Sequence, residues 1–161
     1  MGNRFQREPS SSEGGSSVFL RCRNQAIVYL SQREHNKKEL SVKLQAKGYE
    51  ISVIKSVLEL LESDGLLSES RYIRIFVSSS NRRHPEGRRL LEKRLLAKGA
   101  DRDTVKSVLD EIYTEQYTAD LVSKARDIIV GKGKAQTEAD IRFCLQKAGF
   151  SISDIKLLKN D

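Results

Sequence analysis

One arrangement of residues occurs three times in this chain and leaves it few folds. In each copy a residue suited to opening a helix is followed, at steps of four, by Leu or Ile, Leu, Gly and a polar residue, then by spaced aliphatics. The copies read Asn36, Leu40, Leu44, Gly48, Ser52, Ile54, Val57; Gly87, Leu91, Leu95, Gly99, Asp103, Val105, Val108; and Thr137, Ile141, Leu145, Gly149, Ser153, Ile155, Leu158. Steps of four place the two aliphatics on one helical face. The glycine can take the left-handed conformation that ends a helix, and Lys47, Lys98 and Lys147 lie near that end, where lysine meets exposed carbonyls. Ser52, Asp103 and Ser153 are then expected to cap a second helix.

A further helical stretch precedes each pair. Residues 18–33 carry Ala26, Ile27 and Leu30; residues 69–80 carry Ile73, Phe76 and Val77; residues 115–130 carry Leu121, Val122, Ala125, Ile128 and Ile129. The spacing is helical in all three. Asp64-Gly65 and Gly131-Lys132-Gly133 are turn signals at or near the boundaries. The expectation is an all-α protein of three tandem three-helix repeats in an elongated, curved array with flexible joints. Its parts would be a disordered tail over 1–17 and repeats over 18–63, 64–114 and 115–161.

Composition fits an array better than one large core, because 32% of the residues are charged, aromatics are 6% and Trp is absent. Ser10-Ser11-Ser12 and Gly14-Gly15-Ser16-Ser17 mark the tail as low-complexity. The apolar run Val18-Phe19-Leu20 is too short for a signal peptide and is broken by Arg21 and Arg23, and no membrane span is read. Cys22 and Cys144 have no CxxC partner, which suits reduced thiols in the cytoplasm.

Catalytic and metal constellations are not found. His35 and His84 stand singly without metal-ligand spacing and read as solvent-facing turn residues. Gly131-Lys132-Gly133-Lys134 lacks the spacing and hydroxyl of a phosphate-binding loop and reads as a linker. No nucleophile has a plausible base. The chain is therefore expected to be no enzyme, with no catalytic residue, no metal and no cofactor.

Function is sought in charge. Lys and Arg number 29 against 22 Asp and Glu, a net +7, which attracts polyanions. Between Arg82 and Arg102 lie Arg82, Arg83, Arg88, Arg89, Lys93, Arg94, Lys98 and Arg102, against Glu86, Glu92 and Asp101. The equivalent helix of the first copy carries Lys37, Lys38, Lys43 and Lys47 against Glu39. With Leu91 and Leu95 facing the core, Arg89 and Lys93 point away while Arg88 and Arg94 flank the apolar stripe. The third copy puts Glu138, Ala139, Phe143 and Cys144 in those places, so copies one and two are the basic ones. Arginine's planar fork suits phosphate or carboxylate, which favours Arg82, Arg83, Arg88, Arg89 and Arg94.

A helix-turn-helix DNA reader would offer a polar, basic second helix to the major groove. Here residues 52–63 set Lys55 against Glu59 and Glu62, and residues 103–112 set Lys106 against Asp103, Asp110 and Glu111. Sequence-specific operator binding is therefore disfavoured, while backbone contact through the first helices of the pairs stays open.

Three segments carry a resemblance. Tyr29-Leu30-Ser31-Gln32-Arg33-Glu34-His35-Asn36-Lys37-Lys38-Glu39-Leu40, followed by Lys43-Leu44 and Lys47-Gly48-Tyr49, resembles the opening motif of the RecX family, bacterial regulators of the RecA recombinase. Asp64-Gly65-Leu66-Leu67-Ser68-Glu69-Ser70-Arg71-Tyr72, through Phe76-Val77 to Gly87, Leu91, Leu95 and Lys98-Gly99, is similar to that family's central signature. Residues 141–150, ending Gln146-Lys147-Ala148-Gly149-Phe150, resemble its C-terminal repeat. The chain departs from the pattern at Ser68-Glu69, where an acidic pair is usual, and at Ser78-Ser79-Ser80, where a basic residue is usual.

The chain is expected to be a cytoplasmic monomer, and the resemblance implies that it binds RecA filaments on single-stranded DNA, with duplex DNA left open as a further partner. It would restrain ATP hydrolysis, strand exchange and coprotease activity, and so act in homologous recombination, DNA repair and the SOS response. Lys37, Lys38, Lys43, Arg82, Arg83, Arg88, Arg89, Lys93 and Arg94 become the candidate contacts. Arg71 and Arg74 join them, with local pairing, such as Arg71 with Glu69, as the open alternative. A general DNA-binding helical module and a purely protein-binding scaffold are the competing functions.

Overall fold

Each Leu-Leu-Gly copy builds the turn that the spacing asks for. The structure, a computed structural model, describes residues 11–133, 135 and 137–158, and among these every regular element is helical. The helices are α1 (Ser11–Gln32), α2 (Lys37–Gln45), α3 (Ile51–Ser63), α4 (Glu69–Arg83), α5 (Arg88–Ala97), α6 (Arg102–Ile112), α7 (Glu115–Gly131), α8 (Glu138–Lys147) and α9 (Ile152–Ile155). At the end of α2, Gly48 N–H donates to Gln45 O at 2.8 Å and Tyr49 N–H to Leu44 O at 3.3 Å. The same pair of bonds closes α5, from Gly99 to Leu96 and Ala100 to Leu95, and α8, from Gly149 to Gln146 and Phe150 to Leu145. This is the Schellman arrangement, which needs a left-handed residue after the helix; Gly48, Gly99 and Gly149 sit at φ 86°, 81° and 92°.

The cap that follows falls two residues earlier than the spacing suggests. Glu50, Asp101 and Ser151 precede the next helices, not Ser52, Asp103 and Ser153. One residue after the glycine is enough to drop an apolar anchor into the core: Tyr49 half-buried, Ala100 and Phe150 buried. The next residue is already extended and becomes the cap. Asp101 accepts from Thr104 N–H, and Ser151 forms a reciprocal capping box with Asp154, whereas Glu50 makes no side-chain cap. Asn36 and Thr137 cap α2 and α8 as expected.

The chain divides after Ser68 into two compact units. In the first, Cys22 and Ala26 of α1, Leu40 and Leu44 of α2, and Ile54, Val57, Leu58 and Leu61 of α3 form one core. Leu67 belongs to that core, so the unit runs past residue 63. Helix α1 begins at Ser11, and the segment 11–17 expected as tail is continuous with it; residues 1–10 of that expectation lie outside the described residues. Once a helix is nucleated by packing, extension fixes one residue per hydrogen bond, so even Ser and Gly can propagate it.

The second unit holds two three-helix groups, α4–α6 and α7–α9, whose cores share Tyr113. Their junction is specific. Gly87 N–H donates to Ala148 O at 2.8 Å, and a Cβ on Gly87 would lie 2.2 Å from the Gly149 carbonyl carbon. A Cβ on Gly149 would lie 2.4 Å from Leu90 Cβ. Buried Asn81 accepts from Glu86 N–H at 2.9 Å and donates to the hydroxyls of Tyr113 and Tyr117, each at 3.1 Å. Tyr113 Oη–H in turn donates to Glu86 O at 2.7 Å, and burial pushes its hydroxyl far above the usual tyrosine range. These bonds satisfy groups that would otherwise be buried unpaired at the joint.

His35, read from sequence as solvent-facing, is fully buried, while His84 is exposed. The His35 Nδ1 lies 2.9 Å from Arg33 O and its Nε2 2.9 Å from Lys43 Nζ. Only the neutral ring with its proton on Nδ1 satisfies both, donating to the carbonyl and accepting from the ammonium. Burial, aided by the Arg33 and Lys43 charges and opposed by the Arg33 carbonyl and Glu39, holds His35 below its ordinary value of 6.5. The unfolded chain then binds a proton that the folded chain refuses, so His35 contributes stability above pH about 6.5 that falls away as pH drops. Glu39, kept ionised by Arg33, contributes stability that is fully present above the ordinary carboxylate value of 4.5 and is lost only as pH falls below it.

Calorimetric melting between pH 7.5 and 5 should therefore show the first unit losing stability, and His35→Gln should lower stability at pH 7.5 but flatten the dependence. At the junction, Gly87→Ala should destabilise the second unit by about 1–3 kcal/mol or more, the usual range for overpacking. Gly48→Ala, where a Cβ meets nothing within 4 Å, should cost only the left-handed backbone penalty of about 1–2 kcal/mol. Urea unfolding of the two variants measures the difference.

Candidate functional site

In the first two triplets acidic residues of the third helix neutralise basic residues of the other two. Arg74 of α4 pairs with Glu111 of α6, and Arg88 of α5 reaches Asp110 of α6 and Glu92 one turn along its own helix. In the first unit Lys37 of α2 pairs with Glu62 of α3 at 2.6 Å. Arg94 is further withdrawn: it binds both carboxylate oxygens of Glu86, and its guanidinium lies 5.0 Å from the centre of the Phe76 ring. Lys43 is held by His35 and over the Tyr29 ring at 5.0 Å. Exposed pairs of this kind contribute about 0–1 kcal/mol each, but they cancel charge that would otherwise face solvent.

Lys38 on α2, Arg82 and Arg83 in the last turn of α4, and Arg89 and Lys93 on α5 are exposed, and their side chains make no ion pair or hydrogen bond among the described residues. Arg71 is exposed but engaged. Arg82 and Arg83 complement the negative end of α4. Arg89 does the opposite: it sits in the first turn of α5, which contains no acidic residue, where the helix dipole disfavours a cation by roughly 0.3–1 kcal/mol. An uncompensated cation at the wrong end of a helix, with Lys93 one turn on, is a local cost that fold stability does not explain.

The candidate cations thus separate. Lys37, Lys43, Arg74, Arg88 and Arg94 are committed to partners within their own unit; Lys38, Arg82, Arg83, Arg89 and Lys93 present their charge to solvent. The helical wheel that aims Arg89 and Lys93 outward already separates them from Arg88 and Arg94; the acids opposite, on other helices, are invisible to it. Sequence reasoning misses His35 as the residue that positions Lys43. The third triplet offers a different surface, where Phe143 is 57% exposed with Lys147 over its ring, and Glu138 pairs with Arg126 at 3.6 Å. No cluster of His, Cys, Asp and Glu able to hold a metal occurs among the described residues, and none of their helices is long and apolar enough to cross a membrane.

Residues 22–61, which span most of the first unit, match the family model described as "RecX, first three-helix domain". The Regulatory protein RecX of Halorhodospira halophila is 31% identical over 139 residues, covering 86% of this chain and 82% of that protein. A crystal structure of RecX from Lactobacillus salivarius superposes with a TM-score of 0.76 at 19% identity, over 88% of this chain and 94% of that one. A second crystal structure, of regulatory protein RecX, gives a TM-score of 0.82 at 17% identity, over 99% of this chain and 82% of that one. At such identities the structures speak for the fold; the relative at 31% over most of both chains places this protein in the RecX family of regulatory proteins.

Proposed function

We propose that this protein is a non-enzymatic cytoplasmic regulator that occupies RecA filaments on single-stranded DNA and thereby lowers ATP hydrolysis, strand exchange and coprotease activity. The observation that carries the reading is the exposed, unpaired set Arg82, Arg83, Arg89 and Lys93 on α4 and α5 of a RecX-family chain. Polyanion binding needs cations free to release counterions, and these four have no internal carboxylate to exchange. Lys38 offers one more on the first unit. Arg71 and Arg74, and the paired Lys37, Lys43, Arg88 and Arg94, then act through the fold that presents the free ones.

The competing reading, a general DNA-binding module with no recombinase target, rests on the same cations. It predicts equal affinity for naked and RecA-coated DNA. The regulator reading predicts preference for the coated filament and inhibition of its ATPase as the protein is titrated to equimolar amounts.

An ATPase titration of RecA on single-stranded DNA should show inhibition by the wild type and a weakened effect for Arg89→Ala combined with Lys93→Ala. If the cations touch phosphate, the slope of log affinity against log salt on single strands should fall by ~0.7 for each phosphate partner removed by substitution. Arg94→Ala should act differently, lowering the melting temperature before it alters the salt slope, because Glu86 and Phe76 lose the guanidinium between them. No inhibition by the wild type at low salt would remove the regulator reading.

A further inference from the structure

A groove in the second unit draws no wall from α5, the helix of Arg89 and Lys93. It is a shallow, open groove between α4 and α7 of about 490 Å³, with an apolar floor formed by Val77, Ile112 and Leu121. Arg82 and Lys124 stand on its rim, both exposed, with no ion pair among the described residues. Arg74 is also on the rim but is occupied by Glu111. An apolar floor under two free cations matches a ligand that brings apolar side chains and carboxylates together.

Nucleic acid fits this place poorly. Binding a single strand calls for an aromatic face on which a base can stack. The groove's aromatic, Tyr117, is half-buried; its ring packs edge-on against Tyr113 at 5.5 Å between centres, and its hydroxyl is held by Asn81. The ring is a wall of the groove, fixed by the junction. An extended or helical peptide needs no such platform and can lay one or two apolar side chains on the floor while its acids meet the rim.

We propose that the α4–α7 groove is a docking site for an acidic peptide segment of a partner protein, anchored by apolar side chains on Val77, Ile112 and Leu121 and held by Arg82 and Lys124. Arg82 is common to this site and to the filament-contact set, whereas Lys124 belongs only to the groove and Arg89 and Lys93 only to α5, so substitutions at Lys124 and at Arg89 with Lys93 tell the two readings apart. Ser78, exposed on the α4 wall, gives a way to fill the groove without touching the core.

The test is fluorescence anisotropy on the full chain with a panel of fluorescein-labelled 12-residue peptides that combine Asp or Glu with Leu or Phe, and with a 12-nucleotide oligo-dT. At least one peptide should bind saturably. Lys124→Glu and Ser78→Trp should each weaken it about tenfold, the worth of one good charged contact, while the Arg89→Ala/Lys93→Ala variant should bind it like wild type. Circular dichroism melts of the two groove variants that match wild type would tie the loss to the groove. The proposal is overturned if no peptide binds, if the groove variants leave peptide affinity unchanged, or if oligo-dT competes for the groove and is lost with Lys124→Glu and Ser78→Trp.

Discussion

The second leucine of each copy carries two obligations at once. Leu44, Leu95 and Leu145 are fully buried, and their carbonyls accept the bonds that close the left-handed glycine turns. Helix termination and core packing are therefore one event. A shift of register would move the leucine out of the core and the carbonyl away from its donor together. The residue after the glycine drops back into the core, the next opens another helix, and the position of each third helix relative to the second follows from that short reversal. Where the third helix goes, its acids go too.

That placement decides what charge the protein offers. Asp110 and Glu111 on α6 and Glu62 on α3 are carried to the basic residues of neighbouring helices and cancel them. Among the candidate contacts, those that stay free are defined in position: the end of α4, the outer face of α5 and one lysine on α2. For a protein of a regulatory family this is a useful distribution, because a net +7 spread evenly would favour indiscriminate adhesion to any polyanion. In the second unit the interlocked Gly87 and Gly149 and the Asn81–Tyr113–Tyr117 bonds fix α7 against α4, which also forms the walls of the groove with its own pair of free cations.

Much of this is readable in the chain. Steps of four announce α2, α5 and α8 and the turns that end them, and the wheel aims Arg89 and Lys93 outward. Spacing misplaces the caps at Glu50, Asp101 and Ser151 because two polar residues flank each candidate start, and only the tightness of the glycine reversal selects between them. His35 misleads for a related reason: a histidine beside a charged run looks like a turn residue until Arg33 and Lys43 are seen to supply a carbonyl and an ammonium to its two nitrogens. Arg94 looks like a free cation because nothing local says that Glu86 and Phe76 meet it.

The sequence by itself determined the all-helical triplets, their turns and, through its likeness to relatives, the family, because these rest on periodicities of three to four residues and on the order of motifs along the chain. Tertiary structure alone decided which cations remain free, which histidine is buried, why Gly87 admits no side chain, and where a groove opens between α4 and α7. Those properties arise where residues well separated along the chain are brought into contact. Charge cancellation, desolvation and close approach act through space, and spacing along the chain carries no record of them.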